Sequence, residues 1–245
     1  MKRIAAIGIV LPLFFCGPAG AADPSPGGWT GLYAQASWLS DYRYYGFSES
    51  NRKPTYWLNL HAVLPDGFYA GAVAIGVKFN DRGNTQHELD YYGGKHIVWD
   101  NNDLNLAFLV DTFPDQHTHT PSYGFFQTSA ELSHHFDALT LSAKEAYSPN
   151  YSSGTGTAWI TSVKAAYDFT DWLSADGETG DLTIERGPER HYWSVGATAK
   201  WKFVTLGLHY EGNDLTRPQC YYTNWCKSAW VARVSVGAPV MGIPF

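Results

Sequence analysis

Apolar and polar residues alternate with a period of two along most of this chain, and the alternation restarts about every ten residues, the spacing of membrane-barrel strands. In Trp159, Thr161, Val163, Ala165, Tyr167 and Phe169 the odd positions carry no charge, while Ser162, Lys164 and Asp168 lie between them. A β-strand sends alternate side chains to opposite faces, so such a segment has one dry wall and one wet wall. Trp193, Val195, Ala197, Ala199, Trp201 and Phe203 repeat the arrangement, interleaved with Ser194, Thr198, Lys200 and Lys202. Aromatics stand at the ends of these stripes and small or aliphatic residues in the middle, as on lipid-facing strands with interfacial girdles.

The pattern predicts twelve strands. The first covers about 29 to 39, with Leu32, Ala34, Ala36 and Trp38 on the dry face, and the second about 55 to 64, with Tyr56, Leu58, Leu60, Ala62 and Leu64. Pro65-Asp66-Gly67 turns the chain into Phe68 to Phe79, and the dry face moves from even to odd positions across that turn. The fourth strand, about 87 to 97, carries Leu89, Tyr91 and Gly93 outward; the fifth has Leu104, Leu106, Phe108 and Val110. Phe126 to Leu132 and Leu139 to Ala143 mark the sixth and seventh, the eighth opens this section, and Leu173, Ala175 and Gly177 give a weaker ninth. The tenth meets the eleventh, Val204 to Tyr210, almost without a loop, and Trp230 to Val236 form the twelfth.

Connections after even strands are a few residues, whereas those after odd strands are long and polar: 40 to 54, 80 to 86, 112 to 124, 148 to 157, 178 to 190 and 211 to 228. Short turns on one side and long loops on the other is the outer-membrane pattern, with the short side periplasmic. Closure removes the open sheet edge that hydrocarbon would not tolerate. The predicted fold is therefore an all-β transmembrane antiparallel barrel of about twelve strands. A soluble sandwich or lipocalin-like barrel would also alternate, but with a bulky inward stripe and a highly charged outward one. Here the wet stripe is rich in Ala, Ser, Thr, Asn and Gly, and charged residues are 16% of the chain against roughly 25% in ordinary domains.

The N-terminus adds an address. Lys2 and Arg3 precede an apolar run from Ile4 to Phe15 and then Ala19-Gly20-Ala21. The run is too short to span a bilayer as a helix, and its small-residue end suits cleavage after Ala21. Residues 1 to 21 thus read as a removed secretory signal and 22 to 245 as a single barrel domain in the bacterial outer membrane. Cys16 follows the bulky Phe14 and Phe15, which does not suit a lipidated cysteine. Losing Lys2 and Arg3 takes the formal charge from −6 to −8, and a basic nucleic-acid face is excluded as a working reading. Cys220 and Cys226 remain in the exported chain and read as a local disulfide; a thiolate metal pair lacks further ligands nearby.

Ser40 to Trp57 read SDYRYYGFSESNRKPTYW, followed by DGFYAG at 66 to 71 and HELDYYGG at 87 to 94. In these segments the chain resembles the TorF-like porins of proteobacteria, marked by S-D-Y-R-x-x-G-x-S-x-S, then G-F-Y-A-G, then E-L-D. The resemblance covers the mature chain in order. It implies an outer-membrane barrel with a transport role and supplies no catalytic residues. One departure concerns the end of the chain: Pro239, Gly242 and Pro244 interrupt the last run, and proline cannot donate to a ladder. Either the final strand stops near Val236 with a periplasmic tail, or assembly uses an atypical signal.

Candidate chemistry is confined to the inner face and the loops. Asp41 and Arg43, with Ser48 and Ser50, begin the first long loop and could line the pore mouth; alternatively they form a structural bridge pinning the loop to the rim, worth little if exposed. The structural role is slightly favoured. Glu88, Asp90, Asp111, Glu131, Lys144, Lys164, Asp168, Lys200, Glu211 and Arg233 fall on the predicted inner face, where mixed signs fit either a screened channel or salt bridges that plug it. Twelve strands stand between the filled eight-stranded barrels and the open ones of sixteen to eighteen. His117, His119, His134 and His135 lack the rigid three- or four-ligand set of a zinc site. His87 could serve as a base at the lipid boundary, but no serine falls on the adjacent outward stripes, so no nucleophile is evident. No catalytic, metal or cofactor site is assigned. The resulting expectation is a monomeric passive channel for small polar solutes, held in outer-membrane lipid and inserted by the barrel-assembly machinery. The alternatives are a lipid-acting barrel enzyme and a structural or adhesive barrel displaying the 212 to 227 loop.

Overall fold

The computed structural model describes residues 29–79, 81, 84–117 and 122–244, which form a closed antiparallel barrel of twelve strands. In chain order these are β1 (Trp29–Leu39), β2 (Thr55–Val63), β3 (Phe68–Gly76), β4 (His87–Trp99), β5 (Asn102–Thr112) and β6 (Phe125–Phe136). The second half continues with β7 (Leu139–Ser148), β8 (Ala158–Thr170), β9 (Leu173–Ile184), β10 (Arg190–Trp201), β11 (Val204–Asn213) and β12 (Ala229–Pro244). Each strand pairs with its neighbours in sequence, and β1 closes the cylinder against β12. The leader assigned to residues 1–21, Cys16 included, lies outside the described residues.

The tight turns at one end are built by residues that accept left-handed backbone. Asp66, Asp100, Asp137 and Lys202 all have positive φ, a conformation that short polar residues tolerate best. The Thr170-Asp171 turn uses a side chain instead: Thr170 Oγ1 accepts from the Leu173 N–H at 3.0 Å and the Trp172 N–H at 3.3 Å. At the opposite end the connections are longer, as in 40–54, 113–124 and 214–228.

Leu58, Leu60, Leu106, Phe108, Leu132, Leu141, Val163, Val195, Leu206, Leu208 and Val234 point away from the barrel axis and are exposed. A water-soluble barrel would bury such side chains; here they make a continuous apolar belt suited to lipid. Trp38, Tyr56, Phe126, Trp159 and Trp230 ring the long-loop end, and Trp99, Phe136, Phe169, Trp172, Trp201 and Phe203 ring the other, all exposed. Inside, Tyr69, Val73, Ile75, Tyr92, Leu109, Ile160, Leu182 and Tyr192 are buried against one another.

Three departures from the sequence expectation have physical causes. The ninth strand does not fade after Gly177 but pairs with β8 as far as Ile184, because the backbone ladder continues after the lipid-facing stripe has turned polar at Thr179 and Asp181. The outward stripe is correspondingly not free of charge: Glu145 and Asp181 are exposed on it near the long-loop end. The twelve residues of β9 outrun the roughly 9–11 that hydrocarbon requires, so Asp181 stands above the apolar belt, and Glu145 lies three residues from the long-loop end of β7, opposite Thr161. There Glu145 accepts from Thr161 Oγ1 at 2.6 Å, and Asp181 pairs with His191 at 2.9 Å. The last strand, finally, does not stop near Val236. It stays paired with β1 through Pro239, which lies opposite Tyr33, and to Pro244; Met241 takes the place opposite Leu32, leaving Val240 as an extra residue at the register shift. A bulge admits a proline without an N–H into an otherwise regular ladder.

Candidate functional site at the barrel mouth

The first long loop folds into the barrel rather than over it. Tyr45 and Gly46 both have positive φ, so Arg43–Tyr44 and Phe47–Ser48 pair as a two-residue hairpin of the primed type. Gly46 is required on two counts: its φ is 72°, and a Cβ there would meet the Gly212 carbonyl of β11. The hairpin drives Tyr42, Tyr44 and Tyr45 into the mouth, all buried. The Tyr44 and Tyr45 rings lie 4.4 Å apart, Tyr45 is 4.9 Å from Tyr192 of β10, and Phe125 of β6 is 4.6 Å from Tyr151. Phe79, beyond the end of β3, adds a second aromatic group with Phe113 at 5.4 Å and Tyr123 at 5.2 Å.

The charged pair at 41 and 43 holds this loop in place. Asp41 accepts from Arg43 Nη1 at 2.8 Å, Ser48 Oγ at 2.6 Å and Ser50 Oγ at 3.0 Å. Arg43 Nη2 donates to the carbonyls of Gly46 at 2.7 Å, Trp225 at 3.1 Å and Lys227 at 2.8 Å. The side chains of Arg43 and Asp41 are 0% and 5% exposed, so the bridge is not a weak surface pair but a buried one. It braces the loop and presents little charge to the mouth. Ser40 ties the same segment to β12 through Oγ, which accepts from the Ala232 N–H at 2.9 Å. Every polar residue of the S-D-Y-R-x-x-G-x-S-x-S segment thus has a place in one knot.

The last long loop forms the other half. Cys220 and Cys226 are joined in a disulfide. Trp225 Nε1 donates to Asn51 Oδ1 at 2.7 Å, and Arg52 Nη1 donates to the Lys227 carbonyl at 2.7 Å. Tyr221 and Tyr222 remain exposed at the tip. Replacing both cysteines by serine is expected to cost about 2 kcal/mol, the chain-entropy value for so small a ring. Urea unfolding of the refolded barrel, followed by tryptophan fluorescence, measures this; an unmoved midpoint would show that the staple does not hold the knot.

Below the knot the inner face carries charge in separated groups. Glu88, Asp90 and Asp111 approach one another, with carboxylate oxygens all within 4.8 Å. Glu131 lies opposite Lys144 in the β6–β7 register. Lys164 lies 3.7 Å from Asp176, which also accepts from His209 at 3.1 Å. Glu211 is buried, and Asp168 and Lys200 are half-buried on the inner face near the short-turn end. The Arg233 guanidinium stands 4.7 Å from the Trp57 ring centre. Nearer the short turns, His61 Nδ1 is 2.9 Å from Tyr92 Oη, Tyr92 donates to Asn59 and Tyr69 to Asn105. Tyr92 stands on the inner face as the alternation of its strand predicts, whereas Asp176, His209 and His61 are inner-face residues that the sequence reading does not single out, although the parity of their strands places them there.

Glu49, an unassigned position within the motif, hydrogen-bonds the Glu88 side chain, and burial pushes its carboxyl up to about 7 against that bond and the pull of Arg190. Two loop carboxylates go the other way. Burial raises Asp81, but hydrogen bonds from Thr85, Tyr123 and Asn84 outweigh it and hold the group below the usual range. Asp115 is likewise lowered against burial, by bonds from His87 and Gln86. His87 Nδ1 lies 2.9 Å from Asp115 Oδ2 on the outer rim, a base and an orienting acid, and the outward stripes of β3 and β5 bring no serine beside them. His134 pairs with Asn102 and His135 with Thr140, each a hydrogen bond within the sheet; His117 is exposed, and His119 lies outside the described residues.

A family model described as a bacterial protein of unknown function (Gcw_chp) matches residues 22–237. No curated protein sequence matches the chain. Among solved structures, the KdgM porin is similar over 84% of this chain and 97% of its own, at 8% identity and a TM-score of 0.57. The KdgM porin in complex with disordered oligogalacturonate gives the same values. OmpF of Salmonella typhi, in complex with daunomycin, matches over 86% of this chain and 98% of its own, at 9% identity and a TM-score of 0.48. The likeness to KdgM is one of fold, a porin-type barrel.

Proposed function

This chain belongs to the Gcw_chp family of bacterial proteins of unknown function, and we propose that it is a porin-like channel of the outer membrane for small polar solutes. The observation that carries this reading is the inversion of the barrel: an exposed apolar belt between two aromatic girdles outside, and Glu88, Asp90, Glu131, Lys144, Lys164, Asp168, Lys200 and Arg233 inside. The porin fold of KdgM supports it, as does the resemblance of residues 40–57 to the TorF-like porins. The short turns face the periplasm and the knotted loops the exterior. Solutes pass between the folded-in first loop and the opposite wall, past the inner-face charges, with the Asp41–Arg43 bridge fixing the width of the narrowest level instead of lining it. The chain acts as a monomer in lipid and reaches it through a cleaved signal and the barrel-assembly machinery.

Planar-bilayer recording with the purified, refolded mature chain tests this. Discrete current steps are expected, and replacing residues 41–53 by a short Gly-Ser linker is expected to enlarge them. A folded, heat-modifiable barrel that gives no current in either form rules the channel out. The aromatic filling at Tyr44, Tyr45, Phe125, Tyr151 and Tyr192 favours the second reading in that case, a structural barrel with a closed lumen whose exposed Tyr221 and Tyr222 meet a surface partner.

A further inference from the structure

Asp90 and Asp111 stand directly opposite each other in the β4–β5 register, and Glu88 occupies the next inward position of the same strand. Like charges facing across a sheet are destabilising on their own, and here two of the three are buried, Glu88 2% and Asp111 7% exposed, with Asp90 half-buried beside them. One oxygen of Glu88 is satisfied by the Tyr42 hydroxyl at 2.9 Å. The others are not: Glu88 Oε2, Asp90 Oδ1 and Asp111 Oδ1 are all buried and accept no hydrogen bond. Three carboxylates from two strands therefore converge within 4.8 Å, each with an oxygen unused. The first loop reaches the same point twice, through Tyr42 and through Glu49, whose carboxyl hydrogen-bonds Glu88.

We propose that Glu88, Asp90 and Asp111 form a calcium site beneath the knotted loop, with Glu49 supplying a ligand from the loop itself. The donor set is all oxygen and anionic, which selects a hard divalent cation over zinc or copper. Calcium fits better than magnesium because it takes six to eight oxygens in flexible geometry and accepts bidentate carboxylates, whereas magnesium demands a near-ideal octahedron and keeps its waters. The ion neutralises the facing aspartates and at the same time fastens the loop to the β4–β5 wall. The site is independent of whether the lumen conducts.

The test uses the refolded mature chain in detergent, stripped with EDTA and dialysed, and titrated calorimetrically with calcium chloride alone. One saturable site per chain is expected, with a Kd on the order of 10⁻⁴–10⁻³ M, as in extracellular modules. Asp90→Asn and Asp111→Asn are each expected to weaken it by about tenfold or more, since ligand charge sets affinity. Heat-modifiable migration shows that each variant is folded. If an aspartate variant does not fold, Glu49→Gln, which lies outside the barrel strands, takes its place and is expected to weaken binding as well. Absence of saturable heat in the wild type overturns the proposal, because the carboxyls would then hold protons only. Calcium binding of unchanged affinity in the folded variants also overturns it, because the ion would then sit elsewhere.

Discussion

Replacing Arg43 with alanine is expected to destabilise the folded barrel by about 3–5 kcal/mol, the usual result of removing one partner from a buried ion pair. The guanidinium is the centre of the knot. It holds Asp41 and takes up the carbonyls of Gly46, Trp225 and Lys227. Without it Asp41 keeps the hydroxyls of Ser48 and Ser50 but stays buried with an uncompensated charge. Arg43→Lys is expected to recover little, since an ammonium cannot present the planar fork that meets a carboxylate and separate carbonyls together. Urea unfolding monitored by tryptophan fluorescence gives the energy. Trypsin gives the location, because release of the loop frees Arg52 from the carbonyls of Asn224 and Lys227 and opens the Arg52–Lys53 bond to cleavage. A variant within about 1 kcal/mol of wild type, with the loop still protected, would show that docking rests on the tyrosines alone.

The second large effect separates a membrane barrel from a soluble one. Val163 lies near the middle of β8, on the outward stripe, 56% exposed. In water, arginine at such a position would be unremarkable. In lipid, Val163→Arg is expected to cost about 2–4 kcal/mol, the value for a cation at the bilayer midplane. The same substitution at Phe169 or Trp201, in the girdle at the barrel's end, is expected to cost roughly 0–1 kcal/mol. Unfolding of the vesicle-inserted protein measures both. Equal small effects at the two depths would contradict a lipid-facing belt.

How much of this could be read from the chain follows from what two-residue periodicity encodes. It gives strand positions and which way each side chain faces, so the β1–β12 count and the inward set from Glu88 to Arg233 were legible. It does not give register. Glu88, Asp90 and Asp111 were each placed inside, but only the pairing of Asp90 with Asp111 shows that they meet, and Glu49 arrives there from a loop that periodicity cannot steer. The apolar stripe marks hydrocarbon, not strand length, which is why it predicts an end at Gly177 for a strand that runs to Ile184 and gives no sign of the outward charge at Asp181. Gly46 is conspicuous in the motif, yet its reason is Gly212, more than a hundred and sixty residues later. Pro239 pointed to a strand end because the bulge that accommodates it is made by the partner register with Tyr33, which leaves no mark in the local sequence.

The knot also orders events in time. Arg43 reaches Trp225 and Lys227 across sequence separations of 182 and 184, and Ser37 meets Ser235 across 198, all at the junction of the first and last strands. Contacts this distant form only after the chain between them has been gathered, and these particular ones need β1 and β12 already side by side. The loop therefore locks after the seam has closed, and the locked state distinguishes a completed cylinder from an open intermediate that has the same secondary structure.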